Sequence, residues 1–349
     1  MSRDDRVGVA FLGLHPDRAR TEVERHGSAS SVLRLAARAR LDGVAPHRVV
    51  PPADRVKAME RAGCRPVLLG DPDYPGALAE LGDPPDILFV RGSLPLSPGV
   101  AVVGTRRCTG YGRRLATAFG RSIAGAGWPL ISGLARGIDG AAHRGTLEAS
   151  GIGVAVLGSG SDVLYPPDHR ELHDGLLESG GAVITEYPPG TRPDGWRFPP
   201  RNRIISGLSA AVVVVEAAVT GGALVTAMRA GEQGRALFAV PGDVDREASV
   251  GCNMLIRDGA IPVLGAEDLI EALSLVLGPP RRMSPAAMAA SISGVDALVL
   301  AATGTPVTAD RVAEIVGLPV SEVLGAIARL ELAGHVVTGD GVVAAADQR

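Results

Sequence analysis

Short, continuous runs of apolar residues alternate with helix-length segments between residues 85 and 264, and this pattern constrains the fold most strongly. Runs such as AAVVVVE, residues 210–216, are apolar at successive positions. Strands of this kind are covered on both faces, which is typical of a parallel sheet with helices on each side. The predicted strands are Ile87–Val90, Val100–Val103, Leu130–Ser132, Val154–Leu157, Val183–Thr185, Ala211–Val215, Leu237–Val240 and Pro262–Leu264. The chain is therefore predicted to be α/β, with a Rossmann-like, mainly parallel sheet.

Length and periodicity indicate several domains, because 349 residues exceed what one hydrophobic core usually contains. Residues 7–42 have the apolar spacing of helices, and 1–70 are assigned to a small helical, SAM-like domain. Residues 71–278 contain the sheet, and 279–293, rich in proline and small residues, are assigned to a linker. Residues 294–349 are predicted to form a winged-helix domain, with three short helices and a hairpin around Gly339-Asp340-Gly341.

Composition excludes several classes of protein. Cys64, Cys108 and Cys252 are far apart and give neither a disulfide framework nor a CxxC pair, which favours a reducing cytoplasm. The start of the chain has no apolar signal-peptide core, and no run approaches the roughly 18 apolar residues of a membrane span. Lys57 is the sole lysine, so no lysine is placed for a Walker A loop or a Schiff base.

Basic residues are concentrated in one segment although the net charge is −3. Residues 91–144 contain eight arginines and a single acidic residue, Asp139. Such a stretch is either a local anion-binding face or a solvated helix face. The motifs within the segment favour the first interpretation.

Glycine-rich loops follow the predicted strands Val100–Val103 and Leu130–Ser132 in the basic segment. Gly104, Arg106 and Arg107 lie after the first of these two strands, where glycines would let the backbone approach a phosphate at the start of a helix. Ser132, Gly133 and Arg136 lie after the next, as a second anion-binding turn of the same design. The GxGxxG spacing of a dinucleotide-binding loop is absent, so no nicotinamide cofactor is predicted.

Polar groups also surround the central strand. Arg201, Asn202 and Arg203 are predicted on the helix before it, and Thr220, Gly221 and Gly222 at the start of the helix after it. Several glycine-rich helix starts with arginines at one sheet edge suit a polynucleotide backbone better than one mononucleotide.

Two pairs of side chains could suggest other chemistry. Asp139 and His143 have the spacing of an acid–base pair, but a carboxylate in a first helical turn more often complements the helix dipole. His169 and His173 have metal-ligand spacing without a third ligand, so no metal is assigned.

Aromatic residues could stack on bases beside the phosphates. Five of the eleven in the chain follow strands: Tyr111, Tyr165, Tyr187, Trp196 and Phe198. Tyr165 is included among the predicted contacts.

Five ordered motifs closely resemble the DprA/Smf family of DNA-processing proteins, over roughly residues 71–278. They are VVGTRRCTGYG, SGLARGIDGAAH, YPPDHREL, FPPRNRIISGLS, and AVPGD followed by GCNMLIRDGA. The resemblance implies an extended Rossmann domain that binds single-stranded DNA, forms a homodimer and loads the recombinase RecA during natural transformation, without catalytic turnover. The single-strand-binding protein is a further partner considered.

The resemblance also implies which residues bind DNA. Those that match the motifs and would hold the DNA backbone are Arg106, Gly133, Arg136, Arg201, Asn202 and Arg203. Thr220, Gly221 and Gly222 would complete the site. Residues 294–346 contain two arginines and six acidic residues, which is a poor balance for duplex phosphate, so this domain is interpreted as a protein-contact or regulatory module.

Three other functions stay open at this point. TGGALVT, residues 220–226, resembles the PGGxGTxxE loop of Lonely-guy nucleotide phosphoribohydrolases. Met228 occupies the position of that loop's catalytic Glu, which leaves Glu216 as the nearby carboxylate. The remaining alternatives are an NAD-dependent oxidoreductase, disfavoured by the missing fingerprint, and a transcription factor built on the winged helix.

Overall fold

The computed structural model describes residues 2–279, 295–332, 336–339 and 341–345. The chain forms two compact units, residues 1–280 and 281–349. Apart from Pro279, the predicted linker lies outside the described residues, as does Asp340 of the predicted hairpin turn. The predicted boundary at residue 70 falls within the first unit and stays a prediction.

A nine-stranded sheet forms the centre of the first unit, in the order β1-β2-β6-β5-β4-β3-β7-β8-β9. The strands are β1 (Arg65–Leu68), β2 (Ile87–Gly92), β3 (Gly99–Val103), β4 (Leu130–Ser132), β5 (Gly153–Val156), β6 (Ala182–Thr185), β7 (Ser209–Val214), β8 (Ala236–Ala239) and β9 (Ile261–Pro262). The seven strands from β6 to β9 in this order pair in parallel, whereas β2 pairs antiparallel with β6 and with β1. The prediction of a mainly parallel α/β sheet is confirmed.

Twelve α-helices are described in the first unit. They are α1 (Arg3–Phe11), α2 (Pro16–His26), α3 (Ala29–Ala37), α4 (Pro52–Ala62), α5 (Gly76–Ala79), α6 (Gly110–Gly125), α7 (Ile138–Glu148), α8 (Arg170–Glu178), α9 (Phe198–Gly207), α10 (Gly222–Glu232), α11 (Glu247–Arg257) and α12 (Ala266–Leu277). Apolar residues of α6, α7 and α12 pack on one face of the sheet, and those of α9, α10 and α11 on the other. No helix in the described ranges is long and apolar enough to cross a bilayer.

The sequence did not predict β1. This strand pairs with β2 alone, at the edge of the sheet, and it contains Pro66. Proline has no N–H for a sheet ladder and is tolerated at such an edge, but its presence weakens the sequence signal for a strand. At the opposite edge, β9 is two residues long and begins at Ile261, one residue before the predicted start.

The N-terminal helices contact the β1–β2 edge through arginines. Arg3 donates to Asp71 at 2.6 Å, and Arg6 donates to Asp86 at 2.6 Å. The predicted apolar face of this segment is also found, because Val32 is fully buried in a small core between the helices. The helical N-terminus is therefore attached to the sheet by ion pairs as well as by packing.

The described residues of the second unit contain three helices and a hairpin, as predicted. They are α13 (Val295–Ala302), α14 (Ala309–Val316), α15 (Val320–Leu332), β10 (Val336–Gly339) and β11 (Val342–Ala345). Strands β10 and β11 are antiparallel, and apolar residues of all three helices form one core with Val336 and Val343. Three helices followed by a two-stranded wing are the architecture of a winged helix.

Glycines allow α6 and α7 to pack in close contact on the sheet. A Cβ on Gly120 would lie 2.1 Å from the carbonyl oxygen of Ala142, and one on Gly145 would lie 2.0 Å from that of Thr117. Neither oxygen belongs to a flexible side chain. A larger residue at either position therefore has to move a helix.

We expect Gly120→Ala to lower the free energy of unfolding of the first unit by about 2 kcal/mol, because the methyl group overlaps a backbone carbonyl. Gly125→Ala in the same helix meets nothing within 4 Å. This control should be neutral or stabilising by up to about 1 kcal/mol, since alanine favours helix. Urea unfolding followed by tryptophan fluorescence tests both, and equal effects would contradict the packing account.

Candidate nucleic-acid interface

A cavity of about 640 Å³ opens at the carboxyl ends of β3 and β7. These strands are adjacent in the sheet although 105 residues of chain, 104–208, separate them. From β3 the chain runs through β4, β5 and β6 on one side, and then returns to β7 on the other. Such a reversal of strand order leaves a crevice where α/β proteins bind ligands. The predicted site residues that line this cavity are Gly104, Arg106, Tyr165, Arg201, Asn202, Gly221 and Gly222.

Arg201 extends from α9 beneath the sheet edge and is 5% exposed. Its Nη1 donates to the carbonyl oxygen of Gly133 at 3.0 Å and to that of Val156. Its Nε donates to Oδ1 of Asn202 at 3.2 Å. A Cβ at position 133 would lie 2.6 Å from Nη2 of Arg201, so glycine there leaves room for the guanidinium.

The charge of Arg201 is only partly compensated. Burial lowers the pKa of Arg201 to about 10. The carboxylate of Asp139 raises this pKa, whereas the nearby charge of Arg106 lowers it further. Arg201 is therefore still a cation at neutral pH. Its Nη2 donates to no acceptor in the part of the chain that the structure describes, so its N–H groups are available to a ligand.

Arg106 and two aromatic rings also line the cavity. The guanidinium carbon of Arg106 lies 4.9 Å from the ring centre of Phe198, a cation–π distance. The rings of Tyr165 and Phe198 are 5.8 Å apart. Arg106 is exposed and forms no ion pair with a described residue. The cavity therefore has two cations beside rings on which a base can stack.

The glycine-rich start of α6 is not the phosphate site that the sequence predicts, because Glu216 occupies it. The backbone N–H of Thr109 donates to Oε2 of Glu216 at 2.9 Å, and the Thr109 hydroxyl donates to Oε1. A Cβ on Gly112 would lie 2.3 Å from the carboxylate carbon. The protein's own carboxylate thus neutralises this helix N-terminus, the role that a bound anion would have.

Asp139, in the first turn of α7, binds the loop that precedes the helix. Its Oδ2 accepts a hydrogen bond from the N–H of Gly133 at 3.0 Å, and its side chain is buried. In addition to the predicted interaction with the helix dipole, Asp139 has a second role as the counter-charge of Arg201. At α10, by contrast, Gly221 and Gly222 line the cavity, and Asn202 donates to the carbonyl oxygen of Gly222 at 3.2 Å.

Arg203 does not lie at this cavity, contrary to the prediction. Two positions along an α-helix differ by about 200° in direction, so Arg201 and Arg203 point to opposite sides of α9. Arg203 donates to both carboxylate oxygens of Glu186, at 2.9 and 2.6 Å, and lies 3.4 Å from Asp83. It lines a different cavity, of about 540 Å³, between the N-terminal helices and the sheet.

Five other predicted contacts lie outside the cavity lining, among them Gly133, whose carbonyl oxygen accepts the hydrogen bond from Arg201. Ser132 is buried and donates to the carbonyl oxygen of Val102 at 2.7 Å, because it is still part of β4. Arg136 is exposed and donates to both oxygens of Asp168, at 3.0 and 2.9 Å. Arg107 and Thr220 are exposed, and each is adjacent in sequence to a lining residue, Arg106 and Gly221 respectively. Among the aromatic candidates, Tyr187 is 4% exposed and unsuited to base stacking.

Sequence reasoning missed the loop Pro193–Gly195, which forms one wall of the cavity. The loop follows β6 and leads through a short 3₁₀ helix, Gly195–Arg197, into α9. The stretch PPGTRPDG before it has the proline and glycine content of a turn, which was the available signal.

His143 is buried in α7, and neither ring nitrogen has a hydrogen-bond partner among the described residues. Burial lowers the pKa of His143 to about 3, and the charge of His169 acts in the same direction. His143 is therefore neutral in the folded protein and does not form a proton-transfer pair with Asp139. His169 is engaged elsewhere, since its Nδ1 lies 3.0 Å from the carbonyl oxygen of Leu134.

We expect His143 to weaken the fold in mild acid. The unfolded chain binds a proton at position 143 near pH 6.5 and the folded chain does so only near pH 3, so stability falls as the pH drops between these values. Between about pH 7.5 and about pH 5, the free energy of unfolding of the wild type should fall by about 2 kcal/mol more than that of His143→Leu. Urea unfolding at both pH values measures this, with His47→Leu, at an exposed position, as the control; a parallel loss in all three proteins would refute it.

The fold and cavity together define a Rossmann-like protein with an arginine-lined crevice at its topological switch point. The sequence profile of the family described as DNA recombination-mediator protein A matches residues 65–274, and that of the DprA winged helix domain matches 283–341. The chain belongs to this DprA/Smf family of DNA-processing proteins.

Relatives and solved structures agree with this assignment. Protein Smf of Escherichia coli strain K12 is 43% identical over 285 residues, which is 79% of this chain and 73% of that protein. DprA of Streptococcus pneumoniae superposes with a TM-score of 0.65 at 32% identity, over 78% of this chain and 98% of that one. DprA of Helicobacter pylori, whose structure concerns its single-stranded DNA binding mode, superposes with a TM-score of 0.53 at 27% identity. The match covers 61% of this chain and 97% of that one.

Proposed function

We propose that this protein binds single-stranded DNA in the β3–β7 cavity and acts as a recombination mediator that protects incoming DNA. The observation that supports the proposal best is that Arg106 and Arg201 line one cavity, beside exposed aromatic surface. Its relative from Helicobacter pylori is described by its single-stranded DNA binding mode.

The geometry favours a single strand over a duplex. Phosphates would bind the two guanidinium groups, while a base would stack on Tyr165 or on the accessible part of Phe198. A base paired within a duplex is stacked on its neighbours and cannot enter a cavity of about 640 Å³ without being extruded. None of these contacts reads a base edge, so sequence selectivity should be slight.

Arg106→Ala should weaken oligothymidylate binding about tenfold, equally for all sequences, and lower the salt slope of log K by about 0.7, because one phosphate contact is lost. Fluorescence anisotropy with a labelled oligonucleotide and a matched duplex across a salt series measures this. Arg65→Ala is the control, since Arg65 is exposed but paired with Asp73. Unchanged affinity in Arg106→Ala, or tighter binding to the duplex, would contradict the proposal.

We also propose that the protein has no catalytic turnover. Glu216, the carboxylate available for a phosphoribohydrolase mechanism, is 4% exposed and accepts two hydrogen bonds from Thr109. Its carboxylate is thus committed to the start of α6. Release of free base from nucleoside monophosphates would contradict this view.

We extend this proposal to the biological role of the protein in the cytoplasm, where it would load RecA during natural transformation. The other proposed partners are the single-strand-binding protein and a second copy of the chain. A homodimer is supported by the short edge strand β9 and by exposed Leu264 and Leu275 near it, 80% and 89% accessible. RecA ATPase activity on single strands covered with single-strand-binding protein should start sooner when the protein is added, and an unchanged lag would contradict loading.

We propose that the winged helix is a protein-contact or regulatory module and that it does not bind duplex DNA. Arg311 pairs with Glu314 at 2.6 Å, and Arg329 pairs with Asp296 at 2.5 Å. Both arginines of the described part of this unit are therefore neutralised. Strong duplex binding that depends on them would overturn this assignment.

A further inference from the structure

The arginines of the basic segment differ in whether an acidic residue neutralises them. Arg121 pairs with Glu148, and Arg136 pairs with Asp168. Arg107, Arg113 and Arg114 are exposed, and no described acidic side chain forms an ion pair with them. These three follow Arg106 closely in the chain: Arg107 precedes α6, and Arg113 and Arg114 lie near its start. With Tyr111 they are called the α6 patch.

Local geometry concentrates the patch near the first turn of α6. Nη1 of Arg114 lies 3.6 Å from the position that a Cβ on Gly110 would occupy, so its guanidinium lies against the first turn of the helix. Tyr111 and Arg114 are three residues apart and share a face of α6. Tyr111 is 47% exposed, which leaves much of its ring accessible.

Three uncompensated cations around an exposed ring fit a polyanion that carries bases. Glu216 already neutralises the N-terminus of α6, so the patch would bind through side chains and not through the helix dipole. Mutual repulsion of the guanidinium groups costs stability in the free protein and is relieved when phosphates bind. A phosphate-rich strand with a base stacked on Tyr111 would bring phosphates to Arg114, on the same face, and to the arginines on either side of it.

We propose that the α6 patch is a second binding segment for the same single strand, contacted by nucleotides that extend beyond the β3–β7 cavity. This inference rests on the proposed function, because the strand first has to occupy the cavity. Arg106, which lines the cavity, and Arg107, which is exposed, are consecutive residues that connect the two segments. The patch therefore lengthens the site without adding sequence selectivity.

Oligonucleotide length separates the two segments. An oligothymidylate of about six nucleotides would fill the cavity alone, whereas one of about twenty would also reach the patch. The double substitution Arg113→Ala with Arg114→Ala should weaken binding of the longer strand about tenfold and lower its salt slope by about 1.4. Binding of the short strand should change less than about twofold.

Arg121→Ala is the matched control, because it removes the same exposed charge from the same helix where Glu148 already pairs with it. Tyr111 gives an independent readout: Tyr111→Ala should weaken binding of the longer strand at least about fivefold, and Tyr111→Phe should restore it. All these positions are exposed, and matching thermal unfolding curves will establish that the variants fold.

The outcomes are distinguishable. If the wild type binds neither strand, the proposed function fails and the patch with it. If the wild type binds both strands but the double variant weakens both equally, or weakens the longer one no more than Arg121→Ala does, the patch is not a binding segment. A loss confined to the longer strand supports the inference.

Discussion

The buried guanidinium of Arg201 is the interaction on which the candidate site depends. It joins α9 to the ends of β4 and β5 through the carbonyl oxygens of Gly133 and Val156, and Asp139 of α7 supplies the counter-charge. A buried charge that loses its compensating partners is strongly destabilising, so the guanidinium depends on these groups. The contact thus fixes a cation at the floor of the cavity.

Helix N-termini, the usual anion sites of such folds, are used differently here. Glu216 and Asp139 occupy the starts of α6 and α7, which leaves the start of α10 beside the cavity. Recognition as we propose it would therefore rely mainly on guanidinium groups and rings. Side chains of this kind follow a flexible phosphate backbone and tolerate any base, whereas a fixed set of backbone N–H groups fits one phosphate geometry.

The fold was largely predictable, because continuous apolar runs appear wherever a strand is covered on both faces, as in β7. The edge strand β1 was not, since it has four residues and one is proline. Within the site, the motif FPPRNR placed arginines on α9, but only helix geometry separates Arg201 from Arg203. Likewise, sequence spacing does not show that Glu216 reaches Thr109, 107 residues away in the chain.

Photochemical cross-linking tests the central claim, that a single strand occupies the β3–β7 cavity, most directly. An oligonucleotide containing 4-thiothymidine would be irradiated with the full-length protein, and the cross-linked peptides identified by mass spectrometry. The account predicts cross-links to the peptides that contain Arg106, Tyr165 and Phe198. Cross-links confined to the winged helix, or to the Arg203 side of α9, would contradict it.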